Sequence, residues 1–79
     1  MWYVYILKSL VGDFVYIGST NDPKRRLLQH NSGHVTSTKI HIPLKVKAYI
    51  SVENKSKAIA LEHYLKSGSG RAFIKKRIL

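Results

Sequence analysis

The stretch that decides the fold is Trp2-Tyr3-Val4-Tyr5-Ile6-Leu7-Lys8, followed across a Gly12-Asp13 turn by Phe14-Val15-Tyr16-Ile17-Gly18. In the first segment Trp2, Val4 and Ile6 alternate with Tyr3, Tyr5 and Leu7, and the enrichment in aromatic and β-branched residues predicts a strand. The second segment has the same character, and the short turn between them predicts an antiparallel hairpin. Register then fixes what faces what. If Ser9 lies opposite Phe14, Tyr5 pairs with Gly18 and Leu7 with Tyr16, which makes Tyr5 and Tyr16 diagonal neighbours on one face of the sheet.

Working outward, Asn21-Asp22-Pro23 predicts a helix start, because Asp22 can cap free backbone N–H groups and Pro23 suits the first helical position. The helix is expected to run to about Asn31, with Gly33 as terminator, Leu27 and Leu28 facing the core, and Arg26 and His30 sharing one face four residues apart. His34 to Pro43 has no sustained period and reads as a loop. Leu44 to Val52 predicts a third strand with Leu44, Val46, Ala48, Ile50 and Val52 on a buried face and Lys45, Lys47, Tyr49 and Ser51 on a polar one. Asn54 is placed to cap a second helix over Lys55 to Lys66, Gly68-Ser69-Gly70 is expected to break it, and Arg71 to Leu79 is expected to form a short final helix. The predicted architecture is α/β of the α+β kind: a small three-stranded, mainly antiparallel sheet flanked by helices in the order β-β-α-β-α-α.

A chain of 79 residues is expected to be one domain, and with no cysteine it has neither disulfides nor thiolate zinc ligands to supplement a core drawn from its 44% hydrophobic residues. Fourteen Lys and Arg against four Asp and Glu give a formal charge of +10. The charges are spread along the chain and do not line one amphipathic helix, so nucleic acid is the expected partner and a membrane is not. The N-terminus lacks the basic flank and cleavage site of a signal peptide, and a cytoplasmic location is expected. Four histidines, His30, His34, His41 and His63, match no compact finger spacing, so structural zinc is not expected.

Several residues carry possible chemistry. Two tyrosines on one face can orient or deprotonate a water, although a phenol with a pKa of about 10 needs help to do so at neutral pH. Arg26 offers a planar cation suited to phosphate oxygens. His30 can protonate a leaving group, hold a phosphate or tune a tyrosine; it can also simply be a helix-end histidine. Glu62 is the acid without a local explanation, since Asp13 serves a turn, Asp22 a cap and Glu53 a helix start. It lies mid-helix beside the apolar stripe, where it can bind a hard cation or pair with Lys66. A single carboxylate suits Mg²⁺, which keeps much of its water, with Mn²⁺ as a substitute. Ser69, Gly70 and Arg71 can hold a phosphate at a helix start. Lys24 and Lys39, with Lys45 and Lys47 on the third strand, can contact nucleic acid or solvate the surface.

Tyr3-Val4-Tyr5, Tyr16-Ile17-Gly18-Ser19-Thr20, Arg26 ten residues after Tyr16, His30 followed by Asn31, and Glu62 together resemble the GIY-YIG nuclease superfamily, most closely its small bacterial members. The likeness spans nearly the whole chain. Tyr3 departs from the glycine of the name motif, and no equivalent appears for the C-terminal asparagine of some larger members. The resemblance implies a metal-dependent endonuclease that hydrolyses DNA by water attack, leaving a 5′-phosphate and a 3′-hydroxyl. It also implies Tyr5, Tyr16, Arg26 and His30 as catalytic residues, Glu62 as the Mg²⁺ ligand and Ser19 among the groups near nucleic acid. Either tyrosine can be the base; Tyr16 is favoured for that role and Tyr5 for orienting the water. The rival readings are a noncatalytic basic nucleic-acid-binding module, which explains the charge equally well, and a nuclease domain that needs a partner for activity or specificity.

Overall fold

The computed structural model describes all residues, 1–79. The elements run β1 (Trp2–Ser9), β2 (Val15–Thr20), α1 (Pro23–Asn31), a 3-10 turn (Lys39–His41), β3 (Leu44–Val52), α2 (Lys55–Lys66) and α3 (Gly68–Arg77). They build the expected α+β fold. β1 is central in a sheet of order β2-β1-β3, antiparallel to both neighbours. The Ser9 N–H donates to the Phe14 carbonyl at 2.9 Å, and this turn geometry puts Tyr5 opposite Gly18 and Leu7 opposite Tyr16.

Both faces of the sheet are covered. Val4, Ile6 and Ile17 pack against Ala58 and Leu65 of α2 and Ile74 of α3. On the opposite face Tyr5, Leu7 and Leu44 pack with Tyr16, Val46 and Leu27 of α1. Each fully buried aliphatic side chain contributes about 1.5 to 3 kcal/mol, so β1, buried on both faces, is the backbone of the core.

β3 departs from the sequence reading. Ile6 pairs with Ala48 but Leu7 pairs with Val46, so Lys47 is an extra residue without a cross-strand partner. This bulge rotates the strand. Leu44 and Val46 join the α1 face, whereas Ala48, Ile50 and Val52 join the α2 and α3 face. The five residues therefore do not share one buried face.

Local caps explain the helix limits. The Asp22 carboxylate accepts from the Arg25 N–H at 3.1 Å and the Asn54 side chain from the Lys57 N–H at 2.9 Å. Gly33 takes φ +79° just beyond α1, a conformation that other residues resist. Leu28, expected in the core, is instead 68% exposed, because α1 is short and turns only its Leu27 side inward. Gly68-Ser69-Gly70 is not a break but the first turn of α3, capped by Ser67. A Cβ on Gly70 would collide with the backbone of Tyr64 and Leu65, so glycine here permits α3 to fold tightly back on α2.

Candidate active site at the edge of β2

The hairpin register brings the Tyr5 and Tyr16 rings to 6.2 Å between centroids. Tyr5 lies across Gly18, where any Cβ would overlap its hydroxyl and crowd the Tyr16 ring. Gly18 is therefore what lets the Tyr5 oxygen reach over β2. From α1, His30 meets both tyrosines, with centroids at 5.8 Å from Tyr5 and 5.0 Å from Tyr16.

His30 is fully buried and both ring nitrogens are engaged. Nε2 shares a hydrogen bond with the Tyr5 hydroxyl at 3.1 Å, and Nδ1 shares one with Thr38 Oγ1 at 2.7 Å. Thr38, also fully buried, donates its hydroxyl proton to the Val35 carbonyl at 3.4 Å. With the Thr38 hydroxyl proton assigned to that carbonyl, Oγ1 is the acceptor for an Nδ1–H, and Nε2 is assigned as the bare nitrogen that accepts the proton of Tyr5. With both nitrogens occupied, His30 has none left for a leaving group or a phosphate. Its contacts are those of a residue placed to tune a tyrosine.

Burial pushes the Tyr5 phenol above its ordinary pKa; the neighbouring Arg26 partly offsets this, while Tyr16 and Glu62 add to it. Burial, reinforced by the Arg26 charge, holds His30 below the ordinary histidine value. The pair is thus a neutral phenol donating to a neutral imidazole. Arg26 donates to Gln29 Oε1 at 3.0 Å, which braces the guanidinium on the same helix face as His30. Asn31 fixes the end of α1: its amide donates to the Leu44 carbonyl at 3.1 Å and accepts from the Leu44 N–H at 2.7 Å.

Glu62 comes from the other side. Ser19 pairs with Val4 on the α2 face of the sheet, and its hydroxyl donates to Glu62 Oε1 at 2.7 Å. Lys66 donates to Oε2 at 2.7 Å. Glu62 does not share the tyrosine face; it reaches β2 from the opposite layer, and the site wraps round this edge strand. Burial raises its pKa, but hydrogen bonds from Lys66 and Ser19, with the charges of Lys66 and His63, outweigh that and lower it. The carboxylate is ionised at neutral pH. No three His, Asp or Glu side chains gather anywhere in the chain. Each carboxylate oxygen keeps a second lone pair beyond its bond to Ser19 or Lys66, so this donor set fits a hard divalent cation that keeps most of its water and takes the place of the half-exposed Lys66 ammonium.

A tyrosine-histidine pair and an arginine on one side of the edge strand, with a carboxylate on the other, make up the candidate site. The family model described as the GIY-YIG catalytic domain matches residues 1–77. The chain belongs to the GIY-YIG family. GIY-YIG domains are typically nucleases and bind nucleic acid. Relatives include a UPF0213 protein of Cupriavidus necator, 36% identical over 76 residues that cover 91% of this chain and 82% of the relative. A UPF0213 protein of Aeromonas salmonicida is 37% identical over 79 residues, covering 99% of this chain and 56% of the relative. Another, from Lactococcus lactis subsp. cremoris, is 34% identical over 65 residues, 81% of this chain and 65% of the relative. No solved structure matches.

The remaining expected residues are scattered over the surface. Ser19 holds Glu62 and so has no free hydroxyl proton for a phosphate. Lys24 lines a cleft with Tyr3 and Tyr49 beside the α1 start. Lys45 faces Lys8 across β1, and with Lys47 and Ser9 these lysines line a separate cleft. The bulge thus parts Lys45 from Tyr49, which pairs with Tyr5 on the α1 face. Lys39 is exposed on the 3-10 turn. Ser69 is exposed in the first turn of α3, whose cap is Ser67. Arg71 donates to the Lys66 carbonyl at 3.1 Å and so closes the end of α2. His41 stacks on Phe14 with centroids 3.7 Å apart, locking the 34–43 loop to the hairpin. Thr38 had no sequence signal, since nothing in an aperiodic loop marks one threonine as the partner of His30. No helix is long and apolar enough to cross a membrane.

Proposed function

We propose that this protein is a metal-dependent endonuclease that hydrolyses DNA by water attack, with residues 1–79 forming one nuclease domain that works in the cytoplasm. The observation that carries the proposal is the hydrogen-bonded run from Tyr5 through His30 to Thr38, set beside Arg26 at the edge of β2.

Because burial raises the Tyr5 pKa, Tyr5 does not stand as a phenolate at neutral pH. Its proton has a place to go. As water attacks phosphorus, water gives a proton to the Tyr5 oxygen while Tyr5 gives its own to His30 Nε2, and Thr38 holds the resulting imidazolium through Nδ1. This assigns the base to Tyr5 and leaves the less buried Tyr16 to align the water or a phosphate oxygen, reversing the roles favoured by the resemblance. Arg26 binds the phosphate oxygens as negative charge builds on them. The 3′-oxygen departs, takes a proton from solvent and leaves a 5′-phosphate.

Glu62, oriented by Ser19 and Lys66, would hold Mg²⁺ or Mn²⁺, and a bound ion would supply positive charge to the phosphate and the departing oxygen. The test is incubation with labelled single-stranded, duplex and branched DNA, with Mg²⁺, with Mn²⁺ and with EDTA, followed by analysis of the product ends. Metal-dependent cleavage with 5′-phosphate ends is expected. Binding to all three substrates with no cleavage in either metal would return the chain to the noncatalytic reading.

A further inference from the structure

A concave site of different chemical character lies beside the tyrosine-histidine pair. Tyr3 and Tyr5 are on the same face of β1, and Tyr49 of β3 sits directly opposite Tyr5. Tyr3 and Tyr49 are therefore diagonal neighbours, with Tyr3 about 7 Å from Tyr5 along the strand. They line a cleft of about 400 Å³ with Asn21, Asp22, Pro23 and Lys24.

The polar groups of the cleft are largely unengaged. The side chains of Tyr3, Tyr49 and Asn21 make no hydrogen bond within the protein, and Tyr49 is 47% exposed. Two phenols and a free amide offer aromatic surface with donors and acceptors at its rim. Asp22, which lines the same cleft and caps α1, opposes a phosphate inside it, whereas Lys24 can hold a phosphate only on the solvent side. A flat, neutral, hydrogen-bonding ligand tethered to a phosphate matches this arrangement.

We propose that this cleft is a subsite for one unpaired nucleobase of the strand being cut, stacked on Tyr49 and Tyr3, read at its edge by Asn21, with Lys24 on its backbone phosphate. The subsite rests on the nuclease reading above and gives it a substrate class. A base in a duplex is stacked and paired, so strands with unpaired nucleotides, single-stranded or branched, enter this cleft without the cost of opening a pair.

The experiment is fluorescence anisotropy in EDTA with a labelled 12-nucleotide single strand and a series in which one abasic residue is walked along it. One abasic position is expected to weaken wild-type binding about 5- to 150-fold, the range for loss of one base-aromatic stack. Tyr49→Ala is expected to weaken binding to the intact strand by the same factor and to ignore the abasic position, whereas Tyr49→Phe retains both. Equal binding of every abasic strand by the wild type, or undiminished discrimination by Tyr49→Ala, overturns the subsite. The wild-type comparison needs no variant to fold. Cleavage with Mg²⁺, measured in parallel, separates the two ideas: a wild type that cleaves but binds every abasic strand equally removes the subsite alone. Discrimination without cleavage supports the subsite and removes the nuclease.

Discussion

Thr38→Val replaces a hydroxyl by a methyl of similar size at a position with no solvent access. The valine can neither accept the Nδ1–H of His30 nor donate to the Val35 carbonyl. His30 is itself fully buried, so water cannot take over, and one ring nitrogen is left without a partner. A buried polar group stranded in this way costs about 1 to 3 kcal/mol. For a domain of this size each kcal/mol lowers Tm by about 4 to 8 °C. The proton can instead move to Nε2, but Tyr5 then faces an N–H and has no acceptor for its own proton. Cleavage should fall by about 10²- to 10⁴-fold, the range for loss of a positioned proton acceptor. Thr38→Ser restores the hydroxyl and should recover most of the rate. The assay is urea denaturation of each variant together with single-turnover DNA cleavage well below Tm. Cleavage by Thr38→Val within about threefold of wild type, corrected for folded fraction, would refute an oriented Tyr5-His30 pair.

Other outcomes follow from the same geometry. The folded pKa of His30 is depressed, so between that value and its unfolded value of about 6.5 the unfolded chain binds the extra proton. Its contribution to stability is present above about pH 6.5 and is lost as pH falls through the folded value; His30→Gln should flatten this slope in denaturation curves taken across pH. Glu62→Gln should abolish metal-stimulated cleavage and the heat of Mg²⁺ binding in calorimetry, yet cost less than about 1 kcal/mol of stability, because the Glu62–Lys66 pair is an i, i+4 contact on a partly exposed helix face. Gly18→Ala should cost about 1 to 3 kcal/mol by overpacking and slow cleavage more than it weakens DNA binding, because the new methyl displaces the Tyr5 hydroxyl that His30 pins. Denaturation and binding isotherms run side by side would show this split.

The hairpin was legible in sequence because a short turn leaves few registers, and the one that aligns Ser9 with Phe14 also sets the contact between Tyr5 and Tyr16. The caps at Asp22 and Asn54 were legible for a similar reason: they are local, and three residues decide them. What sequence hid was nonlocal. The alternation of Leu44 to Val52 reads as one face, but a single unpaired Lys47 turns half of it over, and no residue type marks that bulge. Gly70 read as a breaker because its reason is the backbone of Leu65 lying against it, a contact made only after α3 folds back. At the site, Glu62 stood out by having no local role, yet its approach from the far layer depends on Ser19, whose orientation follows from the sheet register. Thr38 was invisible, since its partner lies eight residues away across an aperiodic loop.

The most direct test of the account compares wild type and Tyr5→Phe in single-turnover cleavage of one labelled DNA strand, in Mg²⁺ and in EDTA, with binding measured on the same samples. The wild type should cleave only with metal, and Tyr5→Phe should bind comparably and fail to cleave. Cleavage by Tyr5→Phe at the wild-type rate would contradict the Tyr5-His30 mechanism.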